Sequence, residues 1–103
     1  MTKDQIKEEL DLLKRCGWRL RATFIKADTP FMLKLVELAK KYDNLISECK
    51  KNVLAEIYDQ IYRHGNTQEA CAIELHYSKR HVERLHKELV EYFITKLQGE
   101  QPT

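Results

Sequence analysis

Residues that interrupt helices are scarce in this chain of 103 residues, which contains three glycines and two prolines. We therefore expect few breaks, and the scarcity predicts an almost entirely helical, all-α protein. Hydrophobic residues make up 43% of the sequence and charged residues 33%, which favours a folded core over disorder. At this length we expect one compact domain.

Long apolar runs are also missing, so no segment approaches the length that spans a membrane, and we expect no membrane partner. The N-terminus carries acids among its apolar residues, a pattern unlike a signal peptide. Cys16, Cys49 and Cys71 are odd in number, far apart and without a Cys-x-x-Cys pair, which argues against a disulfide framework. Buried free thiols in a reducing compartment are the expected state, and the expected localisation is cytoplasmic.

A large excess of positive or negative charge is also missing, because the formal net charge is only +2. Any affinity for nucleic acid must therefore come from local patches. One such patch runs from Lys14 to Lys26, which contains five basic residues and no acid. Its arginines, Arg15, Arg19 and Arg21, are candidates for auxiliary contacts to duplex phosphates. A solvated helix face with arginines paired to acids elsewhere explains the same pattern.

The first helical pattern covers residues 3–27. With Gly17 filling one gap, its apolar residues recur at alternating spacings of four and three, which is typical of a helix that packs along another helix. These residues are Ile6, Leu10, Leu13, Leu20 and Phe24. Gly17 falls within the pattern and marks the point where this one helix is most easily broken.

A second helix is predicted to start at Pro30, because proline suits the first helical position and Thr29 suits the cap before it. No glycine or proline follows until Gly65, so one long helix is expected. Its apolar spacing drifts along its length, which indicates a helix that changes partners or bends. We expect residues 31–49 to pair with the first helix or with a second subunit. Residues 1–63 would then form a hairpin or coiled-coil-like scaffold that also serves oligomerisation.

Residues 64–98 have the pattern of a helix-turn-helix. Thr67 and Ser78 stand where its two helices would begin, because each hydroxyl can accept a hydrogen bond from a free amide of the first turn. Ala72 is the small residue at the packed position, and His76 stands where a left-handed turn residue such as glycine is common. The expected inward residues are Cys71, Leu75, Tyr77, Val82 and Leu85. The apolar face of the second helix continues to about Gln98, and residues 99–103 are expected to be a frayed tail.

The outward residues of this motif are the candidate DNA contacts. If Val82 and Leu85 face inward, Arg80 and Arg84 lie outward, one turn apart. Each can make a bidentate contact to guanine that contributes about 1–3 kcal/mol of discrimination, and Glu83 can accept from a cytosine amino group. Other polar side chains suit phosphates. The full predicted DNA-binding set is Thr67, Gln68, Ser78, Lys79, Arg80, Glu83, Arg84 and Lys87.

Two segments, Ile57–Thr67 and Leu75–Lys87, resemble the C-terminal part of small phage-encoded transcriptional regulators. These are the ArpU-like and RinA-like activators of late genes. The most specific string is Tyr-Ser-x-Arg-His-Val-x-Arg-Leu-His from Tyr77 to His86, and the resemblance covers about the last 45 residues. It implies a helix-turn-helix akin to region 4 of sigma factors and a phage or prophage origin. The residues that it puts at the DNA are Ser78, Lys79, Arg80, Glu83 and Arg84.

Metal binding and catalysis have little support. His76, His81 and His86 are each five residues apart, which does not align them on one helical face, and the paired spacings of zinc sites are missing. No paired carboxylates or nucleophile–base arrangement stands out, and a small helical domain offers little cavity. We therefore expect neither an enzyme nor a cofactor.

The sequence-based hypothesis is a transcriptional regulator that reads the major groove of double-stranded DNA with the helix at residues 79–97. A homodimer is expected, because two copies on half-sites about one helical turn apart double the contacts. Two alternatives use the same motif as an interaction module. One is an oligomeric phage assembly or packaging adaptor, and the other is a partner of RNA polymerase.

Overall fold

The computed structural model of the protein describes residues 2–16 and 30–98. Within these ranges the chain forms helices and no strand, so the all-α prediction is confirmed. The elements are α1 (Lys3–Cys16), α2 (Pro30–Ser47), α3 (Asn52–Tyr58) with its π-helical continuation (Asp59–Arg63), α4 (Gln68–Leu75) and α5 (Lys79–Gln98). Every one of them contributes to a single hydrophobic cluster. Among the described helices, none combines the length and the hydropathy needed to cross a membrane.

The seam of α1 is buried within one chain. Ile6, Leu10 and Leu13 are buried, and α1 packs against α2, the π-helical segment and α5. Glu9 fixes α1 to α2, because its carboxylate accepts a hydrogen bond from the Tyr42 hydroxyl at 2.7 Å. The sequence left open whether the first helix pairs within the chain or with a second subunit. The described part of α1 pairs within the chain. The predicted continuation of this helix through Gly17 to residue 27 lies outside the described residues, as do the Thr29 cap and the tail at 99–103.

The prediction of one long second helix is wrong. As predicted, α2 begins at Pro30, but it ends at Ser47, and a new helix, α3, begins at Asn52. At the end of α2 the backbone amides of Glu48 and Cys49 bond three residues back instead of four, which tightens the last turn. Lys51 then adopts an extended conformation, with φ −95° and ψ 98°.

Side chains stabilise this break in place of a glycine or a proline. The Ser47 hydroxyl donates to the backbone carbonyl of Asn44 at 2.7 Å. The Tyr92 hydroxyl, from α5, donates to the backbone carbonyl of Leu45 at 2.6 Å. The Leu45 carbonyl therefore accepts two hydrogen bonds, one from the Glu48 amide of its own turn and one from another helix. Because the chain is interrupted here, α2 and α3 both pack against α5. α2 and the π-helical segment also pack against α1, and the π-helical segment packs against α4, so the partners change only in part along this stretch.

The inner face of α5 runs through the centre of the fold. Its buried residues are Val82, Leu85, Leu89 and Phe93. The edge of the Phe93 ring packs on Tyr42 at a centroid distance of 5.0 Å and on Tyr58 at 5.7 Å. Within the described residues, α5 extends to Gln98. Since the stripe is continuous, the back half of α5 fixes the direction in which its front half points.

Candidate nucleic-acid interface

The starts of α4 and α5 are both capped by the residues that the sequence predicted. Thr67 Oγ1 accepts a hydrogen bond from the Ala70 amide at 3.1 Å, and Ser78 Oγ accepts one from the His81 amide at 3.1 Å. Each hydroxyl satisfies one amide that has no partner within its own helix. Both helix starts are therefore fixed by local hydrogen bonds.

Three residues, 76–78, connect α4 to α5. His76 ends α4 in the left-handed conformation, with φ 58° and ψ 39°. The following amide, of Tyr77, bonds to the carbonyl of Ala72 at 2.9 Å, which closes the end of α4. Glycine is the usual residue in this region, because a Cβ atom adds a steric cost. Here His76 adopts the conformation and accepts that cost.

The packing between α4 and α5 agrees with the predicted inward set. Cys71 and Ala72 of α4 and Val82 and Leu85 of α5 are all buried in the hydrophobic cluster. Burial raises the pKa of the Cys71 thiol, which keeps it neutral and suited to an apolar site. The other two predicted inward residues are half-buried at the edge of the same cluster; they are Leu75 and Tyr77.

The predicted DNA-binding residues all have surface positions. Gln68 is half-buried and the rest are exposed; these are Thr67, Ser78, Lys79, Arg80, Glu83, Arg84 and Lys87. Among the residues that the structure describes, Arg80 and Arg84 have no ion-pair partner. Their guanidinium groups are therefore accessible to an outside ligand.

Lys79 differs from these arginines because it already has an anionic partner. Its ammonium group donates to the Glu69 carboxylate of α4 at 3.0 Å. That hydrogen bond raises the pKa of Lys79. The sequence predicts that Lys79 contacts a phosphate. To do so, the Lys79 ammonium group would have to leave the Glu69 carboxylate. This competition could not be foreseen from the sequence, because residues 69 and 79 lie on different helices.

The C-terminal end of α1 lies beside the start of α4. Lys14 and Arg15 share one groove with residues 65–68, which immediately precede and begin α4. Arg15 is exposed and forms an ion pair with Asp11 of its own helix. The structure thus brings Arg15 to the predicted DNA-binding set, and it adds Lys14, which lies in the same groove. Arg19 and Arg21, the other two auxiliary candidates, are outside the described residues.

Two residues that position the start of α4 were missed by the sequence reasoning. The Asn66 amide bonds to the carbonyl of Gln60 at 2.9 Å, and the two side chains also hydrogen-bond to each other. Gly65, before it, has a φ of 72°, as expected for the residue after a helix end. Gln60 lies in a π-helical segment, which no pattern in the sequence indicates, so this tie could not be predicted.

The thiols and histidines form no metal-binding cluster in residues 2–16 and 30–98. No group of three or more histidine, cysteine, aspartate or glutamate side chains there could hold an ion. Cys16, Cys49 and Cys71 are free thiols.

The surface around the start of α4 therefore adjoins the basic end of α1, and it meets the front of α5 at the Lys79–Glu69 ion pair. Its guanidinium, ammonium and hydroxyl groups are the donors that proteins use toward phosphates and base edges. Glu83 is the acid among the exposed residues at the front of α5, and it lies between the two arginines in sequence. Comparison with models of protein families, with curated proteins and with solved structures finds no match to this chain.

Proposed function

We propose that the protein binds double-stranded DNA through α4, α5 and the C-terminal end of α1, and that it regulates transcription. The front of α5 would enter the major groove, as in a helix-turn-helix. The observation that carries the proposal is the pair Arg80 and Arg84. Both are exposed and without ion-pair partners among the described residues, on a helix whose inner face is fixed by the core.

The roles of the other residues follow from their positions. Glu83 supports sequence selectivity, because a carboxylate suits a cytosine amino group and repels phosphates. Thr67, Gln68, Ser78 and Lys87 suit the phosphates on either side of the groove. Lys14 and Arg15 extend these contacts from α1, since they adjoin the start of α4. The proposed activity is binding, with no catalytic step and no cofactor.

We also propose a homodimer, because two copies on half-sites about one helical turn apart would double the contacts to DNA. The α1 seam no longer supports it, because Ile6, Leu10 and Leu13 are covered by the same chain. The phage or prophage origin rests on the resemblance of Tyr77–His86 to late-gene activators.

The direct test is selection of bound sequences from a random pool of DNA duplexes, followed by affinity measurements at several salt concentrations. We expect enrichment of a defined site, and a palindrome would support two-fold pairing. Arg80→Ala and Arg84→Ala should each lower the preference for that site by about 5- to 150-fold, the effect of one lost bidentate contact. The control is Lys50→Ala, which removes an exposed positive charge from the connection between α2 and α3. No enrichment, or equal effects of all three changes, would rule out the proposed reading helix.

A protein partner, such as an assembly component or RNA polymerase, is the second candidate, and Ile73 is the observation that favours it. This side chain is 75% exposed on α4, next to the exposed Glu74 and four residues after the exposed Glu69. An apolar group flanked by acids is a poor surface for DNA and suits a basic protein surface. Ile73→Ser should leave DNA affinity unchanged and weaken activation of transcription in a reconstituted assay. Loss of DNA affinity in this variant would count against the second candidate.

A further inference from the structure

His86 faces the interior side of α5, between α1 and the π-helical segment. Its Nε2 atom lies 2.8 Å from the Tyr62 hydroxyl. The two rings are stacked, with centroids 5.8 Å apart and 12° between their planes. Tyr62 is only 3% exposed, so this pair is part of the packing between helices. His86 therefore joins the front of α5 to the π-helical segment.

The charged groups around His86 come from each packed element. α1 contributes Lys7, Asp11 and Lys14 to the groove in which the His86 ring lies. Asp11 is already paired with Arg15, so its negative charge is partly neutralised. The remaining α1 groups are cations. The π-helical segment contributes the Tyr62 hydroxyl. On α5 itself, the neighbouring charged residues are Glu83 and Lys87, and both are exposed.

These surroundings favour the neutral imidazole ring. Burial, and secondarily the charge of Lys14, lower the pKa of His86. Burial likewise raises the pKa of Tyr62, so its hydroxyl keeps its proton. Among the described residues, His86 is the hydrogen-bond partner of that hydroxyl, and an unprotonated Nε2 can accept from it. Protonation of the ring reverses this hydrogen bond, because Nε2 then donates to the Tyr62 oxygen, and it places a cation in the groove beside Lys14.

We propose that His86 is a pH-dependent latch between α1 and α5. In its neutral form the ring allows α1 to pack along the groove that they share, with Lys14 and Arg15 beside the start of α4. In its protonated form it releases α1, while α4 and α5 stay packed on the rest of the core. The latch is a property of the free protein, and only its consequence for DNA rests on the proposed function.

The direction of the pH effect follows from linkage. A detached α1 leaves His86 solvated, and it then binds a proton near its ordinary pKa of about 6.5. With α1 packed, the ring binds a proton only at lower pH. The detached state is therefore favoured increasingly as the pH falls below about 6.5, until the packed state also becomes protonated. Above that range the latch is closed and insensitive to pH.

The first experiment is hydrogen exchange of the α1 backbone amides in the free protein, at about pH 7.5 and about pH 5.0, corrected for intrinsic exchange rates. We expect protection of α1 to fall by up to about tenfold for each unit by which packing lowers the pKa of His86, with a limit of about 30-fold at pH 5.0. His86→Gln should abolish this change, because glutamine keeps an acceptor for Tyr62 and does not titrate. His64→Gln is the matched control, since His64 is exposed and pairs with Asp59. An equal loss of protection in wild type and His86→Gln would overturn the latch.

The second experiment changes Lys14, an exposed residue whose replacement leaves the core intact. Lys14→Gln removes the nearby cation, so the pKa of His86, followed by its ring resonances in NMR, should rise toward the ordinary value. The pH-dependent loss of α1 protection should shrink in parallel. The Lys7→Gln variant should have a smaller effect, because Lys14 is the cation that acts on His86. A titration of His86 that does not respond to Lys14→Gln would contradict the proposed geometry.

The consequence for DNA is measured separately, with the selected duplex. Protonation of histidines ordinarily strengthens attraction to phosphates. The latch predicts the reverse, a loss of affinity between about pH 7.5 and about pH 5.5 that His86→Gln removes. If α1 opens in acid but no duplex is bound at any pH, the latch stands and the proposed function fails. If a duplex is bound selectively and α1 stays closed, the proposed function stands and the latch fails.

Discussion

The front and back halves of α5 use their charged side chains in different ways. In the front half, Lys79 is paired with Glu69 of α4, but Arg80 and Arg84 extend outward without ion-pair partners in the described ranges. In the back half, Glu88 and Lys96 reach the connection between α2 and α3. Glu88 is paired with Lys51, just before α3.

The back half has further ties of this kind. Lys96 lies 4.0 Å from the Glu48 carboxylate, and the Tyr92 hydroxyl bonds to the Leu45 carbonyl. Both reach the end of α2 or the connection that follows it. The back half of α5 is thus tied to α2 and to the connection after it, and the front half presents two accessible arginines. Because the buried face of α5 is continuous from Val82 to Phe93, the packing of the back half also determines where Arg80 and Arg84 point.

The largest expected effect is a loss of stability when the buried face of the back half of α5 is changed. Phe93→Ala removes a fully buried ring that packs on Tyr42 and Tyr58, so it should lower the free energy of unfolding by about 3–5 kcal/mol. Urea denaturation followed by circular dichroism measures this loss. Val90→Ala, at a half-buried position of the same helix, is the milder control. If the two changes cost the same, the Phe93 ring is not the centre of this buried face.

Tyr92→Phe tests the hydrogen bond that satisfies the end of α2. Only the hydroxyl is removed, so we expect a loss of about 0.5–1.5 kcal/mol in the free energy of unfolding. Hydrogen exchange should increase most in the last turn of α2, near Leu45. Tyr77→Phe serves as the comparison, because Tyr77 lies at the turn before α5. Equal effects near Leu45 in both variants would contradict the assigned role of Tyr92.

Glu69→Gln tests the competition for Lys79. Because the carboxylate no longer holds the ammonium group, Lys79 becomes free to contact a phosphate. DNA affinity should rise several-fold at low salt, and the salt dependence of log K should steepen by about one phosphate contact. Glu74→Gln removes an exposed acid of the same helix that has no such pair among the described residues. An identical gain in both variants would indicate a general charge effect only.

The smallest expected effect is on stability at the front half of α5. The double change Arg80→Ala and Arg84→Ala should alter the free energy of unfolding by less than about 0.5 kcal/mol, as is usual at exposed positions. Thermal unfolding measures this change beside the loss of DNA selectivity. A large destabilisation would mean that these arginines serve the fold, and it would remove the contrast between the two halves of α5.

Much of the local structure could be predicted from the sequence because its causes are local. Thr67 and Ser78 begin helices with their own side chains, and the spacing of Val82 and Leu85 fixes the inner face of α5. The exposure of the outward residues then follows from helical geometry. The fold class followed from the scarcity of glycine and proline.

The features that could not be predicted depend on residues far apart in the sequence. The break after Ser47 contains no glycine or proline and is completed by Tyr92, a residue of α5. The pairing of Lys79 with Glu69 requires the relative position of two helices. The seam of α1 was recognised, but its periodicity alone does not distinguish a partner in the same chain from one in a second subunit.

The contact of α1 with α5 also bears on the order in which the chain folds. The connection between α4 and α5 closes a loop of three residues, whereas Lys14 and His86 are separated by most of the chain. Closing a longer loop costs more entropy before any contact is gained. We therefore expect α4 and α5 to pair early in folding and α1 to dock late. The element that folds last would then be the one that His86 releases in acid.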